Sequence, residues 1–322
     1  MKKTIKQTRV YLINPYLWGW LVITSTVVFV FFSVVIEFQD WMTWLYSIMI
    51  IPLTIGLWLI FKEEKQEKAP YKMDLLDLQF AALGVVLTIF LSHELDISAV
   101  LASSAVGMAG FLLIKKYSIA IYCGSFAGMI STELVISYDV LLVALICGFV
   151  ILFLKPVYRG IGGKLGTMAF IATLLFAIIT QKDFIVMTND LNFVRLLIVS
   201  LAGTIISFYA QDLLKLSSVM ASALPSFIFA LAMIYLVKDY TACTVVFFSA
   251  SFIGMSSKKR LINVYMVLMS ALIHAFMFFV YFEHYNGLGG KLGLMALSSV
   301  LISMGFFKIF IYLKKRMIKE TI

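Results

Sequence analysis

Long apolar runs without period-two alternation dominate the chain, each closed by charges or turn residues. Twelve can be marked, at approximately 17–36, 43–61, 75–92, 97–114, 117–136, 140–154, 165–181, 193–210, 217–237, 240–256, 261–282 and 292–312. At about 1.5 Å per residue, about 20 helical residues cross a 30 Å hydrocarbon core. Most of the runs reach that length; 140–154, 165–181 and 240–256 are marginal. In lipid, backbone polar groups must be satisfied inside helices or a closed barrel, and the missing alternation argues against a barrel. The pattern therefore predicts an all-α polytopic membrane protein with about twelve transmembrane helices.

Composition strengthens this reading. Hydrophobic residues make up 62% and charged residues 13% of the chain, and the mean hydropathy is +1.01. Soluble domains carry roughly 25% charged residues. The longest clearly polar stretch, Lys62 to Asp74, is too short for an extramembrane catalytic or nucleic-acid-binding module. The formal charge of +9 is spread among short loops, as the positive-inside bias produces, so nucleic acid is not an expected partner. The basic N-terminus (Lys2, Lys3, Lys6, Arg9) precedes an apolar run, but no small-residue cleavage site follows, and the run reads as a retained first helix. Cys123, Cys147 and Cys243 fall inside apolar runs with no ligand spacing, which points to neither a disulfide framework nor a metal site.

The chain also resembles itself. Ile97-Ser98-Ala99-Val100-Leu101-Ala102-Ser103 aligns with Leu216-Ser217-Ser218-Val219-Met220-Ala221-Ser222 at an offset of 119, and Gly84 meets Gly203 at the same offset. Ser125-Phe126-Ala127-Gly128-Met129 aligns with Ser251-Phe252-Ile253-Gly254-Met255 at 126. The blocks Tyr158 to Ala169 and Tyr285 to Ala296 share nine of twelve residues at an offset of 127, including Gly-Gly-Lys-Leu-Gly. Three matches in one order predict two homologous five-segment repeats, 74–190 and 191–322, preceded by a two-helix segment, 1–73.

With twelve spans, both termini lie inside. The basic groups Lys62/Lys65/Lys68/Lys72, Lys115/Lys116, Lys155/Arg159/Lys164, Lys258/Lys259/Arg260 and Lys314/Lys315/Arg316/Lys319 are then cytoplasmic, leaving Lys182, Arg195, Lys238 and Lys291 outside. Five spans per repeat invert one repeat relative to the other. A ten-span alternative, with 117–136 and 240–256 as re-entrant hairpins and parallel repeats, distributes charge nearly as well. The length of the run from Tyr117 to Tyr138, with Glu133 as its one basic or acidic side chain before Asp139, favours twelve.

The glycine-rich blocks place Lys164 and Lys291 at helix starts, where backbone amides, the positive end of the helix dipole and an ammonium can attract an anion or a carboxylate. Tight packing with a lysine anchored at the headgroups would produce the same pattern. The spacing is not a Walker motif. Glycine-interrupted runs at corresponding places are a pointer to a transporter's central site; they nominate Ser125, Gly128, Ser251 and Gly254, and more weakly Ser103 and Ser222. His274, deep in an apolar run, is either a functional group or a buried histidine bonded to a neighbouring helix. His93, Glu94 and Asp96 read as a solvated helix end, as do Glu283 and His284. Trp18, Trp20, Trp41, Trp44, Tyr158 and Tyr285 suit an interfacial aromatic belt.

There is no nucleophile–base arrangement and no cofactor motif, so neither enzymatic chemistry nor a cofactor is expected. No acidic residue recurs at matching mid-membrane positions, which tilts against a symmetric proton- or sodium-coupling carboxylate pair and towards a neutral or anionic substrate. The expected function is a transporter or channel for a small molecule or ion, with its path between the two repeats. The expected setting is a bacterial cytoplasmic (inner) membrane, the lipid bilayer being the main partner, and the first two helices offer a contact for a homo-oligomer. An intramembrane enzyme acting on a lipid-like substrate and a non-transporting scaffold subunit are the alternatives; the first would need polar residues converging at one membrane face.

Overall fold

The computed structural model describes residues 15–37, 41–66, 73–136, 138–185, 192–236 and 241–320. The N-terminal cluster Lys2/Lys3/Lys6/Arg9, and Lys68, Lys72 and Lys238, lie outside the described residues.

Every apolar run yields helix. In chain order these are α1 (Pro15–Glu37), α2 (Trp41–Ile48), α3 (Ile50–Gln66), α4 (Leu76–Ile89), α5 (Ala99–Leu113), α6 (Ser118–Ala127), α7 (Asp139–Leu154), α8 (Lys164–Thr180), α9 (Phe193–Asp212), α10 (Ser218–Leu236), α11 (Thr241–Gly254), α12 (Val264–Tyr281) and α13 (Lys291–Glu320). Among the described residues there is no strand, only an isolated bridge between Ile185 and Asn286. Seven helical stretches are long and apolar enough to cross a membrane: Tyr16–Val35, Tyr46–Lys65, Leu76–Glu94, Phe193–Asp212, Ser218–Leu236, Val264–Tyr281 and Lys291–Ile318. Large apolar side chains such as Leu112, Leu141, Ile178, Ile198 and Ile228 point outward. Exposed apolar surface on this scale marks a protein whose solvent is lipid.

Two runs differ from their predicted form. The run 43–61 is divided at Met49; Pro52 has no N–H to give the carbonyl of Ile48, so the helix restarts there. The run 117–136 yields helix only to Ala127, about 15 Å of rise at 10 residues. Beyond it the chain turns, and the amide of Ser131 donates to the carbonyl of Gly287 (2.8 Å).

Local chemistry sets several helix starts. Ser98, Asn192 and Asn263 cap α5, α9 and α12 by accepting from the amides of Leu101 (3.4 Å), Arg195 (3.1 Å) and Met266 (2.9 Å). A π-helical turn, Phe90–Glu94, extends α4.

Helix directions follow from paired ends. Lys155, just after α7, pairs with Asp77 at the start of α4 (2.6 Å), so these two helices are antiparallel. α6 begins where Lys116 meets Asp74 (3.2 Å) and is followed by Ile130, whose carbonyl bonds His93 Nε2 (3.0 Å). It therefore runs alongside α4 from one end towards the other and does not turn back. One end of the bundle gathers Asp77, Lys155, Arg159, Gly160, Ser257 and Arg260, joined by the bonds Ser257 N to Gly160 O (2.9 Å) and Arg260 Nε to Arg159 O (3.1 Å). Glu63, at the end of α3, pairs with Arg260 there. The other end gathers Ser131, Asp139, Lys182, Ile185 and Gly287, with Lys182 and Asp139 3.8 Å apart. The 16 residues of α7 separate the ends by about 24 Å.

α1 lies along this bundle. Thr24 shares a hydrogen bond with the hydroxyl of Tyr158 (2.6 Å), and Ser33 accepts one from Tyr285 (2.8 Å). Tyr158 is buried and Tyr285 half-buried against the bundle, whereas Trp18 and Trp44 are exposed.

Candidate functional site

Two cavities enter the bundle from its two ends. The cavity at the Asn286 end has a volume of about 410 Å³ and that at the Arg159 end about 380 Å³. The first is lined by Lys291 and Arg195 with Asn192, Asn286 and Thr241; the second by Lys164, Lys155 and Arg159. Among the described residues no carboxylate lines either one.

Each cavity is built on a glycine-rich turn. Tyr158, Gly160 and Gly163 all have positive φ (53°, 73° and 82°), as do Tyr285, Gly287 and Gly290 (54°, 83° and 83°). A side chain at Gly163 or Gly290 would carry a left-handed penalty. It would also run into the opposite helix, because Gly163 packs on the backbone of Ala296 and Leu297, and Gly290 on that of Gly166 and Phe170. The first turns of α8 and α13 thus cross with opposite polarity, and Gly166 meets Gly293 at the crossing. The turns also reach across to the short helices: Gly289 packs on the carbonyls of Phe126 and Ala127, and Gly162 on that of Phe252.

The turns set the two lysines. Lys164 Nζ donates to the carbonyl of Lys155 (2.6 Å). Lys291 Nζ donates to the carbonyl of Phe282 (2.8 Å) and to Asn286 Oδ1 (2.6 Å). Both are only 9% exposed, and neither forms an ion pair among the described residues. An ammonium has three protons to donate, so these bonds do not exhaust either lysine; Lys291 Nζ also lies 5.8 Å from the centre of the Phe282 ring. Glu64, whose carboxylate accepts from the Tyr158 amide, is the acidic group that acts on Lys164 from behind the turn.

The hydroxyls nominated by sequence lie elsewhere. Ser125 bonds Ser103 (2.9 Å), and Ser251 bonds Ser222 (2.7 Å). Tyr122 joins the two groups through Ser222 (3.0 Å). All four serines are fully buried and belong to neither cavity lining. They hold α5 to α6 and α10 to α11, with Ser125 and Ser251 also donating to the carbonyls of Tyr122 (2.8 Å) and Phe248 (2.6 Å). Gly128 and Gly254 allow close helix contact, with α4 at Val85 and Thr88 and with α9 at Ser207 and Phe208.

His274 is fully buried between two serines: Nδ1 meets Ser200 Oγ (2.9 Å) and Nε2 meets Ser249 Oγ (2.7 Å). Ser249 also reaches the carbonyl of Leu292, beside Lys291 (2.9 Å). The thiol of Cys123 makes a similar contact at the other glycine-rich turn, donating to the carbonyl of Leu165, beside Lys164 (3.3 Å). His274 and Cys123 therefore brace the turns and do not line the cavities. Among the described residues no cluster of three or more His, Cys, Asp or Glu is placed to hold a metal ion.

Phe126 and Phe252 stand in the same Ser-Phe-x-Gly-Met match as those serines and glycines, and both line the cavities, a place that nothing in the linear pattern marks. Comparison with known protein families, with curated proteins and with solved structures found no match.

Proposed function

We propose that the protein is a transporter or channel for a small anion, with its path between two five-helix repeats of inverted topology. In this reading α4–α8 and α9–α13 are equivalent units and all twelve runs cross the membrane. The bundle end carrying Lys116, Lys155, Arg159, Lys258 and Arg260 is cytoplasmic by the positive-inside bias.

The observation that carries the proposal is the pair of cavities: each holds a lysine-bearing glycine turn, and among the described residues every charged side chain lining either is cationic, with Lys155 paired to Asp77 behind it. A desolvated ammonium at the positive end of a helix dipole favours an anion, and the low dielectric around it strengthens that preference.

The repeat reading has support beyond the sequence blocks. Ser103–Ser125 reappears as Ser222–Ser251, Lys164 to Lys155 O as Lys291 to Phe282 O, and Ser131 N to Gly287 O as Ser257 N to Gly160 O. Inversion is supported by the opposite polarity of the α8–α13 crossing and by the opening of the two cavities at opposite ends.

Purified protein in liposomes tests the proposal. Potential-driven flux of small anions such as chloride, nitrate and formate should exceed that of potassium. Cation flux, or no flux of any of these anions, would overturn it.

A further inference from the structure

Phe126 and Phe252 are the two residues common to both cavity linings. Their ring centroids lie 4.7 Å apart, and both are almost completely buried. Phe248 packs on both rings, at 4.7 Å from Phe252 and 5.8 Å from Phe126, yet lines neither cavity.

We infer that Phe126 and Phe252 form the closed gate between the two cavities. Among the described residues these two rings are the one lining the cavities share, which reach them from the Asn286 end and from the Arg159 end. Two rings in van der Waals contact leave no room for water or a hydrated ion, and an apolar constriction of this kind stops conduction by excluding water. The gate is tied to the charged turns. Gly289, two residues from Lys291, rests on the carbonyl of Phe126, and Gly162, two residues from Lys164, rests on that of Phe252. A turn that shifts when its lysine takes up an anion therefore moves the backbone of the phenylalanine beneath it. Ring size would then set the largest solute that passes.

This inference rests on the reading that the cavities are two ends of one path, and its test does not depend on the solute. In a background without Cys123, Cys147 and Cys243, Ser218→Cys places a thiol in the Arg159-end cavity alone. A membrane-impermeant anionic methanethiosulfonate is applied to oriented vesicles from the Asn286 side. The parent should react only from the Arg159 side. Phe126→Ala/Phe252→Ala should react from the Asn286 side at least tenfold faster than the parent, and Phe248→Ala should remain like the parent. Reaction of the parent from both sides, an unchanged rate in the double variant, or equal opening by Phe248→Ala would overturn the gate. If the double variant fails to insert, the single variants Phe126→Ala and Phe252→Ala make the same comparison, and parent-like rates in both would overturn it. Absent anion flux in the parent would instead sink the anion reading, leaving the accessibility result to stand by itself.

Discussion

Lys164 and Lys291 each donate to a backbone carbonyl nine residues earlier, that of Lys155 in one case and of Phe282 in the other. Each ammonium is thereby drawn back under its own glycine turn and held at the wall of a cavity. Removing the charge while keeping an N–H donor should weaken anion binding at that wall. Lys164→Gln and Lys291→Gln are each expected to lower anion flux about tenfold, equivalent to ~1.4 kcal/mol, and the pair together by more. Flux in liposomes checks this, and unchanged flux in both variants would remove the lysines from the mechanism.

The turn glycines should be intolerant of any side chain. Gly163 and Gly290 sit at φ of 82° and 83° against the backbone of the opposing helix. Alanine there costs about 1–2 kcal/mol in backbone conformation, to which the clash adds. Gly19 has no left-handed penalty, and a methyl group there would meet side-chain atoms of Val157 and Leu154, not backbone. Thermal unfolding in detergent should therefore show larger losses for Gly163→Ala and Gly290→Ala than for Gly19→Ala.

Legibility divides along a physical line. Helix positions and the two lysine turns were readable, because apolar length and a nine-of-twelve block match are properties of the linear chain. What was not readable was rotation about each helix axis. Ser125 and Phe126 are adjacent, yet the serine turns towards Ser103 while the phenylalanine turns into the cavities. The repeat match marked both equally, and the polar residue drew the functional reading. His274 shows the same effect: its partners come from Ser200 and Ser249, on two other helices, and no local pattern links them.

His274 should matter to stability more than to the cavity. A neutral ring donates from one nitrogen and accepts at the other, which suits a serine on each side. His274→Ala removes both contacts from a fully buried position. The expected loss is about 1–3 kcal/mol, read as a lower unfolding temperature in detergent. An unchanged unfolding temperature would contradict the bracing role.

At the surface, Lys116 beside Asp74 holds that carboxyl below its ordinary range. A lowered folded-state value means the contribution is present above the unfolded carboxylate pKa of about 3.9 and fades as pH falls through the folded value. The unfolding-temperature gap between the parent and Asp74→Asn should be small, constant between about pH 6 and 8 and closed in strong acid, since screening limits an exposed pair.

Inverted units would set the matched lysines on opposite sides of the membrane. Cysteine at position 164 or at position 291, in a background without Cys123, Cys147 and Cys243, tests this directly. An impermeant thiol reagent should label position 164 from the cytoplasmic side and position 291 from the other. Labelling of both positions from the same side would contradict inversion, and with it the twelve-span arrangement.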